Sequence, residues 1–359
     1  MSTEVIFFVS FIVFISAILL LDMLVIDRKA HVVSLKEASI WTFVWITLAL
    51  AFSVFLWFHG DMVHGIKNFA DLQDVVNRYA SHIKLDADDF EVGLQAYRSN
   101  MTISYITGYL IEKTLSVDNL FVMMMIFTSF SVKNTEYQRV LNWGIFGAIV
   151  LRFVFIFIGA AAIKRFDWIL LIFGAFLVYS AIKMIFKKEE EKIDVDKHPA
   201  VKFLSKHFRV LPHFSGDNFF VHAVKTDNEL KVVSKSHNSK LYITPLFVAL
   251  VVIEFCDLIF AFDSIPAVFA VSLDPYVVFF SNIFAILGLR AMFFLLAAVV
   301  DKFRFLKHGV CLLLLFIGVK LLVHNFIEIN NIASLIFIIA VLTVSIGLSV
   351  IIKPKAKKE

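Results

Sequence analysis

"IEFCDLIFAFDSIP", residues 253–266, sets Glu254, Asp257 and Asp263 in a run of Ile, Phe, Leu and Val and closes it with Pro266. The run belongs to a 359-residue chain that is 60% hydrophobic, with 41 Phe and a mean hydropathy of +0.84. Charged residues make up 18% of it, against about 25% in a soluble domain. No soluble fold hides that much apolar surface, so the chain reads as a polytopic membrane protein. Three carboxylates in one span then need a reason, because each costs on the order of 2.5–3.5 kcal/mol at the bilayer centre.

Working outward, hydropathy and the ~20 residues a bilayer requires predict nine spans: 4–26, 38–59, 102–131, 140–163, 167–187, 241–272, 276–300, 308–325 and 331–352. The first is expected to be a span and not a cleaved signal peptide, since its apolar run is long and no small-residue cleavage site follows. With the N-terminus outside, the inside segments carry 23 Lys/Arg and the outside segments six. The positive-inside rule therefore predicts N-out, C-in, a multi-pass protein of the inner or plasma membrane. The net charge of +4 is a topology signal and implies no nucleic-acid partner. Cys256 and Cys311, the two cysteines, fall at different depths and predict neither a disulfide nor a cysteine metal site.

The resulting division is two N-terminal helices (1–59), an acidic extracytoplasmic loop (60–101), a first three-helix unit (102–187), a cytoplasmic loop (188–240), a second three-helix unit (241–325), and a last helix with a basic tail (326–359). The loop at 60–101 has an amphipathic helical pattern at "DLQDVVNRYASHI". Its "DADDFE" (86–91) lacks the glycine and glutamate of a calcium loop and reads as a solvated acidic face. "FFVHAVKTDNELKVVS" in the inner loop predicts a hairpin around "TDNE". The eleven histidines make no ligand spacing and read as surface residues.

The two three-helix units look duplicated. "LSVDNLF" and "FAFDSIP" place Asp118 beside Asn119 and Asp263 beside Ser264. Six residues earlier stand Glu112 and Asp257. "IFGAIVLRFVF" and "IFAILGLRAMF" align Arg152 with Arg290, and "SAIKMIF" and "FIGVKLLV" align Lys183 with Lys320. Equivalent positions lie three spans apart, an odd number, so the units run oppositely through the membrane. Such inverted repeats are common in secondary transporters, with the site where the repeats meet. The predicted fold class is thus an all-α membrane protein of about nine helices, with an inverted repeat of spans 3–5 and 6–8.

Intramembrane charges are functional by default. The competing reading, an ion-pair network that only holds helices together, is weakened because buried pairs rarely improve on apolar packing. Glu254 and Asp257, three apart, share a helix face. Asp257 and Asp263, like Glu112 and Asp118, are six apart and roughly 120° off one another. A straight helix cannot aim such pairs at one point, so both lead spans are expected to unwind near the aspartate, helped by Pro266 and by the weak helix formers of "SVDN". Glu112, Asp118, Glu254, Asp257 and Asp263 would then form an oxygen-rich metal site for a hard divalent cation such as Mg²⁺, Ca²⁺ or Mn²⁺. Asn119, Ser264 and Asn282 are neutral donors or helix–helix contacts nearby. Arg152 and Arg290 are placed to neutralise acids in the absence of a cation. Crowded acids also imply proton-coupled exchange.

"GYLIEKTLSVDNLFV", "GAIVLRFVFIF", "FDWILLIFGAFLVYSAIKM" and "VVIEFCDLIFAFDSIPAVFAVSLDPYVVFFSNIFAILGLRAMFFLLA" resemble the TerC family, most closely its Alx-like branch, over about residues 12–350 apart from the two large loops. The resemblance implies an inner-membrane protein linked to manganese efflux and to tellurium resistance. It maps the family's acidic residues onto Glu112, Asp118, Glu254, Asp257 and Asp263, and its amino-terminal aspartate onto Asp22, which sequence alone leaves as either interfacial or part of the site. The expected function is export of Mn²⁺ by a secondary transporter with no permanently bound cofactor, the divalent ion and the lipid bilayer being its partners and protein partners open. The alternatives are export of Ca²⁺ or another divalent cation, and a non-transporting membrane factor for assembly or metallation of other proteins. No nucleophile–base pair or cofactor motif points to an enzyme.

Overall fold

The computed structural model describes residues 3–22, 33–85, 89–166, 168–186, 198–226, 229–233, 239–299, 305–323, 326–327 and 329–351. Thirteen helices and three strands are assigned among them. They are α1 (Thr3–Leu21), α2 (Leu35–His59), α3 (Asp61–His64), α4 (Phe69–Tyr79), α5 (Phe90–Ser129), α6 (Tyr137–Arg165), α7 (Ile169–Phe186), α8 (Pro199–His207), β1 (Phe220–Thr226), β2 (Glu229–Val232), β3 (Lys240–Ile243), α9 (Pro245–Phe269), α10 (Pro275–Leu287), α11 (Leu289–Val299), α12 (Leu306–Val323) and α13 (Asn331–Ile351).

Five of these helices are long and apolar enough to cross a membrane, or six if the bent pair α10–α11 counts as one span. Helices α7 and α12 are apolar but shorter. The surface agrees with a lipid environment: Val13, Phe43, Val54, Val150, Ile158, Ile172, Ile336 and Val344 all stand exposed, where a soluble protein would carry charge. The α5 and α6 helices pack on α9 and α10, and α7 packs on α12. The α7–α12 contact is close because Gly174 and Gly318 leave their backbones bare. A Cβ at Gly174 would sit 2.9 Å from the carbonyl oxygen of Gly318.

Local chemistry explains the element ends. Asp89 accepts from the backbone N–H of Val92 at 3.1 Å and caps α5, so part of the acidic "DADDFE" starts a helix; residues 86–88 lie outside the described ones. Thr244 and Asp274 cap α9 and α10, each followed by a proline at the first helical position, where the missing N–H costs nothing. The amphipathic stretch of the loop is α4. The predicted hairpin is present: β1 and β2 pair antiparallel with Thr226 opposite Glu229, and β3 adds to the other edge of β1 in the order β2-β1-β3.

Four expectations need correction. The third span begins twelve residues before 102, as part of the 40-residue α5. Residues 240–243, predicted to open the sixth span, are a strand. Neither lead span unwinds: α5 runs unbroken through Asp118, and α9 runs through Pro266. Pro266 lies one turn from the end of α9, where it removes a single hydrogen bond, and packed neighbours tolerate such prolines in membrane helices. The break falls instead in the seventh span, at Gly288, where α10 and α11 meet at 43°. There the Lys113 ammonium donates to the carbonyl of Ala285 at 3.1 Å. A Cβ on Gly288 would stand 2.6 Å from that nitrogen, so glycine and an inserted cation together account for the kink.

Candidate metal centre

Glu112 and Asn119 are seven residues apart on α5, two helical turns, and therefore share one stripe. That stripe faces α9 and α6. The Arg152 guanidinium, 1% exposed, donates to Glu112 and at 2.6 Å to Asn282 Oδ1 on α10, and its second nitrogen lies 3.7 Å from Asp257 Oδ1 on α9. Asn119 Nδ2 donates to the same Asp257 oxygen at 3.2 Å. Asn282 in turn donates to the carbonyl of Val278 at 2.9 Å. Four helices thus meet at one arginine.

Four oxygens on α5 and α9 are buried and lack a hydrogen-bond partner in the protein: Glu112 Oε2, Asn119 Oδ1, Glu254 Oε2 and Asp257 Oδ2. Buried polar atoms are nearly always satisfied by protein or ordered water, so these oxygens keep acceptor capacity that a water or a cation can take up. Glu254 and Asp257 border a cavity of about 20 Å³, shared with Met123, Gly144, Ala148 and Arg290. That is room for one water-sized guest. Glu254 reaches the cavity because Gly147 on α6 offers no side chain; a Cβ there would collide with its carboxylate.

Of the remaining predicted residues, Arg290 borders the cavity while Asp263 faces another helix. Asp263 sits about 120° around α9 from Asp257, as a continuous helix requires, and accepts from Ser180 on α7 at 2.8 Å. Ser264 is buried with an unpartnered hydroxyl. Asp22 and Arg290 form their own pair at 2.6 Å, with Arg290 also donating to Asn142 at 2.6 Å. The side chain of Asp118 lies outside the described residues. Lys183 is exposed, whereas Lys320 is buried and donates to Asn331 and Ser334. Among the described residues no three His, Cys, Asp or Glu side chains gather as a preformed metal cage. Sequence reading missed Asn142 and Ser180, which as neutral side chains in apolar spans gave no signal of their partners. It also misread His64, which is buried.

A helical membrane protein with an arginine-centred carboxylate cluster inside its bundle is the class this geometry defines. The chain belongs to the integral membrane protein TerC family, whose model matches residues 97–357. It is 39% identical over 336 residues to proteins of Escherichia coli (strain K12) and Shigella flexneri described as "Putative membrane-bound redox modulator Alx", covering 93% of this chain and 91% of each relative. An "Uncharacterized membrane protein STKORF319" of Myxococcus xanthus is 38% identical over 341 residues, covering 95% of this chain and 91% of the relative. No solved structure matches the chain.

Proposed function

We propose that the protein is a secondary transporter that exports Mn²⁺ from the cytoplasm, with nine spans, its N-terminus outside, and two inverted three-helix units built on α5–α7 and α9–α12. The observation that carries this reading is the set of four buried, unpartnered oxygens on α5 and α9. All are hard donors, two turns apart or less on their helices, and the thiol and imidazole ligands that favour softer metals are missing from the set. An entering cation competes with the Arg152 guanidinium for Glu112 and Asp257. The released arginine keeps a partner in Asn282, so binding and release can proceed without stranding a charge. Crowded, buried carboxylates resist ionising together when no cation is bound, so protons entering the site as the cation leaves are the basis for coupling export to inward proton movement.

The test is cellular Mn, Ca, Mg and Zn content on expression of this chain, beside Asp257→Asn and Asp263→Asn. Export predicts a selective fall in Mn that Asp257→Asn abolishes. A selective fall in Ca keeps the architecture and replaces the substrate. Unchanged metal content with an altered envelope thiol balance would sink transport and favour the redox role in the relatives' printed name, or the assembly factor.

A further inference from the structure

His64 is the last residue of α3, and its ring is fully buried. Gly65 follows with φ +67 and turns the chain back. The turn presses against α1: a Cβ at Gly65 would stand 2.5 Å from the Cβ of Thr3. This folding carries the imidazole between two carboxylates distant in sequence. Nδ1 lies 2.9 Å from Glu4 on α1 and Nε2 lies 2.8 Å from Asp274, the cap of α10. Tyr79 and Tyr276 close over the ring with centroids 5.2 and 5.3 Å away.

A neutral imidazole has one N–H and one lone pair. In this position the lone pair would point at a carboxylate, so only the doubly protonated ring satisfies both contacts. We propose that Glu4, His64 and Asp274 are a proton-binding latch that holds the start of α1 against α3 and α10. The surrounding charges leave His64 as the cation of the trio. Asp61 on α3 is held by Arg98 of α5 at 2.7 Å, and Arg78 on α4 pairs with Asp74. Tyr97 on α5 and Tyr79 on α4 stay neutral, their hydroxyls pushed up by burial. Burial alone would lower the imidazole, but the charge and hydrogen bonds of Asp274 and Glu4 outweigh it and raise it to about 9. A raised histidine contributes fully below its unfolded value of about 6.5 and loses its hold as pH climbs through the folded value. The latch therefore holds fully below about pH 6.5, weakens as pH rises past neutrality and is lost by about pH 9.

The latch matters for the first turn of α1, which precedes the Phe7 and Phe8 ring contacts and the buried Phe11, Ile15 and Leu19. The other end of α1 is tied by Asp22 to Arg290. Opening the latch frees the first turn of α1 from α3, while Phe7 and Phe8 keep the rest of the helix on the bundle. This inference is independent of any transported ion, so its test needs none. Hydrogen exchange is followed by mass spectrometry on the full chain in lipid nanodiscs from pH 6 to 10, corrected for intrinsic rates. Peptides spanning 3–12 and 60–68 should be slowest at pH 6, exchange progressively faster from about pH 6.5 and level off above about pH 9, roughly a hundredfold faster. His64→Gln should be fast throughout with no rise. Glu4→Gln should keep the rise and level off roughly one pH unit lower, and it carries the test should His64→Gln fail to assemble. A wild-type profile without a rise, a rise that survives in His64→Gln, or a plateau unmoved in Glu4→Gln overturns the latch.

Discussion

Arg152 holds together more of the interior than any acid it touches. Buried pairs contribute little net stability, but removing one partner strands the other. Arg152→Ala leaves Glu112 and Asp257 buried without their cation and should cost about 3–5 kcal/mol, read as a lowered thermal midpoint of the purified protein. Lysine at this position keeps the charge but not the fork that sets one nitrogen on Glu112 and Asn282 and the other toward Asp257, so Arg152→Lys should recover part of the loss only. At this scale the sequence was readable wherever charge stood out against an apolar run: Glu112, Arg152, Glu254 and Asp257 all drew attention, and the structure brings them to one place. Asn119 and Asn282 were named with them, but Asn142 and Ser180, the partners of Arg290 and Asp263, were not, because asparagine and serine in a membrane helix look alike whatever they face. His64 was misread for another reason. Its two partners lie 60 and 210 residues away, and no local pattern announces a contact of that range.

Helix phase decides which carboxylates can share a ligand. Because α9 stays helical through Pro266, Asp263 is committed to α7 and Asp257 to α5 and α6. The expectation of an unwound segment came from the 120° offset of the acids together with Pro266 and the weak helix formers of "SVDN"; the packing of α9 against α5, α6 and α7 outweighs one lost hydrogen bond. Pro266→Ala should therefore leave stability within about 1 kcal/mol of wild type and the Asp257 environment unchanged. A large loss of metal export with normal unfolding would restore the broken-helix view. The true break, Gly288 with Lys113 set into the end of α10, escaped notice because a glycine in an apolar run carries no sign of the lysine that meets it. The β1–β2 hairpin was legible, since the turn residues of "TDNE" act over a few positions; the caps Thr244 and Asp274 went unread although each stands directly before a proline.

The membrane class of the whole molecule was plain from composition, because apolar surface on this scale has no other solvent. Helix number and direction are harder, and α5 shows why: Glu112, Lys113 and Asp118 dilute its hydropathy until it no longer passes for a span by length and composition. Its charge is cancelled only when α6 delivers Arg152. That dependence reaches back to synthesis. A nascent α5 reaching the translocon has no arginine to meet until some forty residues later, so it should be retained at the channel instead of released singly into lipid. In a glycosylation-site reporter, residues 90–131 alone should integrate in fewer than half of the chains. Residues 90–166 should integrate in most, and the same pair with Arg152→Ala should fall back. Equal integration of all three would mean that α5 needs no escort. The ion pair at the centre of the bundle is then also a checkpoint in biogenesis, passed only by chains whose two helices enter the bilayer together.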